Sequence, residues 1–214
     1  MSNILRKPFR YSYKNATLWI IIANAAVFFY FNFFNIFRLN ENAFALNVAG
    51  FVFSKMFWQP VTYMFIHGGW SHIFFNMLGL LFFGATVERA IGTKEFLLLY
   101  FVIGIFSGLF SVAFYYFTGN YMVSLVGASG AIYGILFAYA VIFPKSVIYI
   151  WGIIPLPAPL LVILYTLIEF GSQFIGSSNV AHYTHLAGFG VAFLYFVVRM
   201  GINPVKVWKN AWRK

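Results

Sequence analysis

The sequence of 214 residues contains no cysteine, which excludes a disulfide framework and a thiolate metal site. Its four acidic residues are all glutamate, so chemistry that pairs serine with histidine must work here without an aspartate partner. Charged residues make up 8% of the chain, whereas a soluble domain carries about a quarter. So little polar sequence leaves no room for a separate soluble domain.

Long apolar stretches dominate the chain, which is 62% hydrophobic. Because one helical crossing of a bilayer takes about 20 mainly apolar residues, the sequence predicts an all-α polytopic membrane protein with six transmembrane helices. The predicted segments are Thr17–Phe37, Ser71–Ala90, Glu95–Phe117, Ala128–Phe143, Pro157–Phe170 and Ala181–Met200. The fourth and fifth are short for full crossings, and the proline-interrupted run Pro144–Leu156 between them is left unassigned. The predicted division is a basic tail at 1–16, a six-helix domain at 17–200 and a second basic tail at 201–214.

The net charge of +10 is distributed as a membrane topology signal rather than as a nucleic-acid-binding patch. Basic residues cluster at both termini and in short loops on one side, while only Arg38 and Lys55 fall on the other. Because lysine and arginine stay in the cytoplasm, both termini are predicted to be cytoplasmic. We expect a lipid bilayer around the chain, no nucleic-acid partner and, from the short tails and the lack of cysteine, a bacterial inner membrane. The sequence leaves the oligomeric state open.

One serine is flanked by unusually small residues. Ser129 lies in the segment Gly127–Gly134, at the start of an apolar helix, where small neighbours leave its hydroxyl uncovered. In the predicted orientation, the segments that carry His72, Ser129 and His185 all begin on the outer side, which places these side chains at a similar depth. Each alone has a simpler explanation, such as helix packing or a hydrogen bond between helices. Together they favour a hydrolase that works within the membrane.

Hydrolysis with serine as the nucleophile suggests a role for each of these polar groups. Ser129 needs a base, which His185 or His182, one turn earlier, can supply as a neutral imidazole. Attack on a carbonyl forms an oxyanion, for which the backbone N–H of Ser129 and the side chains of His72 and Asn76 are the candidate donors. Without aspartate another group must orient the base, and Tyr133, one turn after the serine, can pack against its ring.

These motifs resemble those of the rhomboid intramembrane serine proteases, and the resemblance covers nearly the whole chain. The Gly-x-Ser-Gly motif of that family corresponds to the stretch from Gly127 to Gly130. Its catalytic histidine, followed three residues later by glycine, corresponds to His185 with Gly188. The resemblance therefore favours His185 over His182 as the base.

The remaining family motifs fall on the second predicted helix and on the predicted helix that carries Ser129. The His-x-x-x-Asn motif corresponds to His72 and Asn76, and a Gly-x-x-x-Glu motif corresponds to Gly84 and Glu88. The tyrosine that lies below the dyad corresponds to Tyr133. The resemblance implies a six-helix core, a Ser-His dyad, and cleavage of single-pass membrane proteins within their transmembrane segments near the outer end. It also implies that no metal and no organic cofactor is required.

The chain departs from the family in two places. The first outer loop reads Trp58-Gln59 where the family often has Trp-Arg, and Ala192 stands where a further glycine is common. Neither change touches the dyad. The resemblance also suggests that substrates enter past the fifth segment, with the loop Gly171–Val180 as a cap and Phe174 as its plug.

Two alternatives stay open at this point. A transporter could use His72, His182 and His185 as a proton relay. Such proteins often carry intramembrane acidic residues or internal repeats, whereas the acidic residues of this chain sit near the ends of the predicted segments and no convincing repeat is present. A catalytically silent rhomboid-like protein could bind transmembrane clients without cutting them. The presence of both Ser129 and His185 favours the protease over either alternative.

Overall fold

The computed structural model describes residues 8–33, 43–150, 152–172 and 180–213. In these residues the chain forms a bundle of helices with one small hairpin. The helices are α1 (Ala16–Phe33), α2 (Gln59–Thr62), α3 (Trp70–Ile91), α4 (Thr93–Phe117), α5 (Ser129–Ile142), α6 (Ala158–Ser172), α7 (Val180–Tyr195, extended by Phe196–Met200) and α8 (Pro204–Ala211). The predicted end of the first segment at Phe37 and the predicted plug Phe174 lie outside the described residues.

Four described stretches are long and apolar enough to cross a membrane: Ala16–Phe33, Trp70–Ile91, Thr93–Phe117 and His182–Met200. Helices α5 and α6 are apolar but shorter. The predicted helical membrane fold is therefore confirmed. The predicted number of six crossings stays a prediction, because α5 and α6 fall below the length of a full crossing.

The segment that the sequence left unassigned forms a β-hairpin of β1 (Val147–Ile150) and β2 (Ile154–Pro157). Val147 lies opposite Pro157, and Ile150 lies opposite Ile154. The all-α prediction missed this hairpin, since a short apolar run with prolines carries no clear helical or strand period. Both strands of an isolated hairpin are edges, where proline is tolerated, and the β-branched residues of β1 favour an extended chain.

Helix α5 lies at the centre of the bundle, and glycine allows α7 to approach it closely. A Cβ atom built on Gly188 would strike the carbonyl oxygen of Gly130. A Cβ on Gly130 would come within 2.7 Å of the Ser107 hydroxyl on α4 and within 2.8 Å of the Thr184 methyl on α7. Small residues thus set the distance between α4, α5 and α7, as in many membrane helix contacts.

At the opposite end of the bundle from Ser129, Glu88 caps the start of α1. Its Oε1 accepts from the Ala16 N–H at 2.7 Å and from the Thr93 hydroxyl at 2.5 Å. Its Oε2 accepts from the Thr17 N–H at 2.9 Å and from the Thr17 hydroxyl at 2.8 Å. A carboxylate at a helix N-terminus satisfies amides that have no acceptor within the helix. The predicted motif residue therefore has a structural role in this fold.

A second buried carboxylate lies close to the same end of the bundle. Glu95 accepts from Arg199 Nε and Nη2, each at 2.9 Å, and from the Tyr195 hydroxyl. The backbone N–H of Phe9 also donates to it, at 3.4 Å. These bonds join the start of α4 to the end of α7 and to the N-terminal residues that precede α1.

The predicted C-terminal tail contains α8. Asn203 caps this helix, since its side chain accepts from the Lys206 N–H at 3.1 Å. The indole N–H of Trp208 donates to the carbonyl of Ala140 at 2.9 Å, which attaches α8 to the end of α5.

Candidate active site

Ser129 is the first residue of α5, and the turn before it is held by the loop that precedes α3. Gly127 has φ +105°, a conformation that favours glycine, and its N–H donates to the carbonyl of Tyr63 at 2.9 Å. Two residues earlier, Leu125 exchanges backbone hydrogen bonds with Leu46 at 2.8 and 3.0 Å. The serine is thus placed by a fixed backbone rather than by its own side chain.

The imidazole of His185 lies within hydrogen-bond distance of this serine. The distance between Ser129 Oγ and His185 Nε2 is 2.9 Å. His185 lies one turn before Gly188, and Ser129 directly precedes Gly130, so the glycine contact between α5 and α7 brings the two side chains together. The predicted dyad residues therefore meet at the expected end of these helices.

Behind His185 lies a carboxylate that sequence reasoning missed. Glu169 on α6 accepts from His185 Nδ1 at 3.0 Å through Oε1, while His182 Nδ1 contacts Oε2. Its side chain is 7% exposed. A signal was present, because Glu169 is one of only four acidic residues and is the second-to-last residue of the predicted fifth segment, and a charge within a membrane span is costly and often functional.

Tyr133 lies where the sequence predicted, one turn below Ser129 on α5. Its ring stacks on the ring of His185, with centroids 4.0 Å apart and an interplanar angle of 6°. Its hydroxyl donates to Glu169 Oε1 at 2.5 Å. Tyr133 therefore contacts the imidazole and the carboxylate at once, and only the first of these contacts was foreseen.

His72 and Asn76 lie on α3 beside the turn that leads to Ser129. A Cβ built on Gly127 would come within 2.5 Å of His72 Nε2 and 3.4 Å of Asn76 Nδ2. The Gly68 N–H donates to His72 Nδ1 at 3.4 Å, which leaves the ring proton on Nε2, facing the turn. Asn76 Nδ2 is buried and has no hydrogen-bond partner among the described residues. Two side-chain donors thus converge beside Ser129.

His67 and Gln59 lie ahead of α3, His67 in the loop that leads into it and Gln59 as the first residue of α2. His67 is buried, and its ring centroid lies 5.1 Å from that of His72. Burial lowers the pKa of His67 to about 4, and a charge on His72 would act in the same direction, so His67 is neutral at physiological pH. Gln59 is fully buried and accepts from the Asn47 N–H at 3.4 Å.

A cavity of about 480 Å³ opens beside the site, between α3 and α6. Asn76 and Tyr133 line it together with Tyr165 and Leu161 of α6. Among the described residues, no group of three or more His, Cys, Asp or Glu side chains is arranged to hold a metal ion.

Comparison with known proteins shows the family of the chain. A family model described as the Rhomboid domain matches residues 54–201. The chain belongs to the rhomboid family. It is 30% identical over 196 residues to RHOMBOID-like protein 12, mitochondrial, of Arabidopsis thaliana, a match that covers 84% of this chain and 56% of the relative.

Bacterial rhomboids are similar to the chain as well. Rhomboid protease AarA of Providencia stuartii is 32% identical over 151 residues, which cover 62% of this chain and 52% of the relative. Rhomboid protease GluP of Bacillus subtilis is 38% identical over 79 residues, or 37% of this chain and 14% of the relative. The chain spans about half the length of the Arabidopsis relative and about half the length of AarA. Family membership makes it an integral membrane protein of a family that includes named proteases.

Proposed function

We propose that this rhomboid-family chain is an intramembrane serine endopeptidase that cleaves the transmembrane segments of single-pass membrane proteins near their outer end. The observation that carries the proposal is the 2.9 Å distance between Ser129 Oγ and His185 Nε2. That distance is within the range over which a base accepts the proton of a nucleophile.

The proposed reaction follows from the positions of these two residues. Ser129 Oγ attacks the carbonyl carbon of the scissile peptide while its proton passes to His185 Nε2. The imidazolium then returns this proton to the leaving amine as the C–N bond breaks, which leaves an acyl group on Ser129. In the second half, His185 takes a proton from water as the water oxygen attacks the ester carbonyl. The bond between the acyl carbon and Ser129 Oγ then breaks, the imidazolium returns its proton to Oγ, and the new carboxylic acid leaves.

The oxyanion of each tetrahedral intermediate needs donors that are in place beforehand. We assign this role to His72 Nε2–H and Asn76 Nδ2–H, with the backbone N–H of Ser129 in the first turn of α5. The unpartnered state of the buried Asn76 donor supports the assignment. A donor with no internal partner costs folding free energy, and a substrate oxyanion would supply the missing acceptor.

The substrate must present an extended segment, because a helix hides its carbonyls in hydrogen bonds. Helix-breaking and small residues at the cleavage point should therefore favour cleavage. The cavity between α3 and α6 supports sideways entry past α6, since Asn76 and Tyr133 line it together with Leu161 and Tyr165 of α6. The proposed partners are thus transmembrane substrates and the surrounding lipid.

The distribution of basic residues supports both termini in the cytoplasm, with Ser129 opening toward the outer side. The bacterial inner membrane stays part of the proposal. The mitochondrial designation of one relative is a statement about that relative, and bacterial proteases are similar to the chain as well.

Cleavage of a model single-pass substrate in liposomes tests the proposal. The native chain would be compared with Ser129→Ala, His185→Ala and His182→Ala, each checked for folding by its thermal transition in detergent. We expect the first two variants to lose about 10⁶-fold in kcat, because nucleophile and base act as a unit, while His182→Ala keeps measurable activity. An inactive His182→Ala beside an active His185→Ala would reverse the base assignment, and an active Ser129→Ala would end the serine mechanism.

Labelling by a fluorophosphonate separates the protease from the alternatives. If the native chain does not cleave the model substrate but is labelled at Ser129, the serine is activated and the substrate chosen is the wrong one. A folded chain that neither cuts nor labels would be a silent client binder or a transporter, since neither needs an activated hydroxyl.

A further inference from the structure

We propose that Glu169 is the positioning residue of His185, so that the site works as a serine, a histidine and a glutamate rather than as a dyad. This inference rests on the protease function proposed above. Glu169 does not touch the substrate in this proposal. It acts through the imidazole, by fixing which nitrogen carries the proton and by stabilising the imidazolium that forms when Ser129 is deprotonated.

The two ring nitrogens of His185 have different partners. Nε2 lies 2.9 Å from Ser129 Oγ, and Nδ1 lies 3.0 Å from Glu169 Oε1. An ionised carboxylate can only accept, so Nδ1 carries the proton of the neutral ring and Nε2 presents its lone pair to the serine. The glutamate therefore selects the one tautomer that can act as a base toward Ser129.

The carboxylate is itself held on both oxygens. The Tyr133 hydroxyl donates to Oε1 at 2.5 Å, while His182 Nδ1 contacts Oε2. A carboxylate that is 7% exposed requires such donors if it is to stay ionised inside a membrane protein. His182 in this arrangement holds the carboxylate, which explains its place one turn from His185 without making it a second base.

The competing explanation is mechanical. Glu169 lies on α6, while both histidines lie on α7, so the same bonds tie these two helices together. If Glu169 only links these two helices, its bonds would control the access of substrate past α6 and leave the chemistry of the His185 imidazole unchanged. The two explanations differ in what the loss of the carboxylate charge does to kcat, to KM and to the tautomer of His185.

The test compares Glu169→Gln, Glu169→Asp and Thr166→Val in the full-length chain in liposomes. Thr166 lies one turn earlier on α6, and its hydroxyl donates to the carbonyl of Val162 in its own helix at 2.8 Å, with no other partner among the described residues, so it is a matched control. We expect Glu169→Gln to lower kcat about 10²-fold or more with KM unchanged, since the neutral amide does not stabilise the imidazolium. Glu169→Asp should recover part of this loss, and Thr166→Val should match the native chain.

A spectroscopic readout addresses the tautomer directly. In the native chain labelled with ¹⁵N-histidine, His185, assigned by comparison with His185→Ala, should show a protonated Nδ1 and an unprotonated Nε2. Glu169→Gln should shift the signal toward the other tautomer, whereas Thr166→Val should leave it unchanged. This measurement on the native chain still decides the proposal if Glu169→Gln does not fold, because a native His185 protonated at Nε2 would overturn it.

Two further kinetic results would also overturn the proposal. One is a Glu169→Gln variant with the kcat of Thr166→Val. The other is a Glu169→Gln variant that has a changed KM or cleaves faster while His185 keeps its native tautomer. That result is expected if Glu169 only links α6 to α7 mechanically. Fluorophosphonate labelling separates failure of the Glu169 proposal from failure of the protease proposal. If Ser129 reacts equally fast in the native chain and in Glu169→Gln, the serine is activated without the carboxylate, and only the role of Glu169 falls.

Discussion

Buried carboxylates surrounded by donors lie at both ends of the bundle, Glu88 and Glu95 at one end and Glu169 at the other, yet only the Glu169 end is arranged for chemistry. At the Glu88 end, Glu88 is bonded by two backbone amides and two threonine hydroxyls. At the Ser129 end, Glu169 is bonded by two imidazoles and a phenol, one imidazole reaching on to a serine hydroxyl. Burial and hydrogen bonding of an acid thus do not identify a site by themselves.

The identity of the partners makes the difference. Backbone amides and threonine hydroxyls do not take up protons, so the Glu88 end can only stabilise the fold. Imidazoles can take up and release protons, and the buried Asn76 donor beside the serine has no hydrogen-bond partner in the part of the chain that the structure describes. A change at the Ser129 end should therefore affect turnover more than stability, and a change at the Glu88 end should do the reverse.

The largest effect in this comparison is expected from Asn76→Ala. Loss of the proposed oxyanion donor should lower kcat by about 10²- to 10³-fold while KM changes little. Because this amide nitrogen has no hydrogen-bond partner to lose among the described residues, thermal stability should fall only slightly. Steady-state cleavage and a melting curve check both halves. A melting temperature of Asn76→Ala far below that of the native chain would instead show that Asn76 has a structural role, as Glu88 does.

Gly188→Ala should have the next largest effect, because the added methyl group meets the Gly130 carbonyl, a backbone atom that cannot rotate away. The helices must separate, which carries His185 away from Ser129. A displacement of about 1 Å in such a pair costs on the order of 10²-fold in rate. Fluorophosphonate labelling of Ser129 measures this loss without any substrate, and Gly190→Ala, whose Cβ would meet nothing within 4 Å, is the matched control. Equal labelling of both variants would contradict the packing argument.

Glu88→Gln tests the other end of the bundle. The amide cannot accept all of the bonds that α1 and Thr93 donate, and each buried donor left without an acceptor costs about 1–3 kcal/mol. We expect a lower melting temperature and an unchanged kcat per folded molecule. Active-site titration with a fluorophosphonate gives the folded fraction for that comparison. A reduced kcat at full folding would show that the two ends are coupled.

The smallest effect should come from Tyr133→Phe. The ring that stacks on His185 remains, and only the hydroxyl bonded to Glu169 is lost. We expect a decrease in kcat of about tenfold or less, in line with the net worth of one hydrogen bond to a charged group. Tyr133→Ala, which removes the stacked ring as well, should lower kcat further. Equal kcat for the two variants would show that stacking does not help to hold the base.

Much of the arrangement at the Ser129 end is predictable from the amino-acid sequence. The apolar segments and the basic loops predict that Ser129, His185 and His72 lie at one end, and the glycine next to the serine predicts a close helix contact there. Glu169 was not predicted as a partner of His185, because aspartate is the usual partner in such sites and the chain lacks it, while Tyr133 lies at helical spacing from Ser129. Glu169 lies 16 residues from His185 in the sequence, beyond any helical spacing that would connect them.

The sequence by itself determined the class of protein, the family, and the end of the bundle at which the reactive residues gather, because hydropathy, loop charge and local motifs are properties of neighbouring residues. Only the tertiary structure decided which imidazole faces Ser129 and what lies behind it. Those contacts depend on how closely α5, α6 and α7 pack. The packing distance is set by glycines and side chains on different helices acting together, and no single segment encodes it.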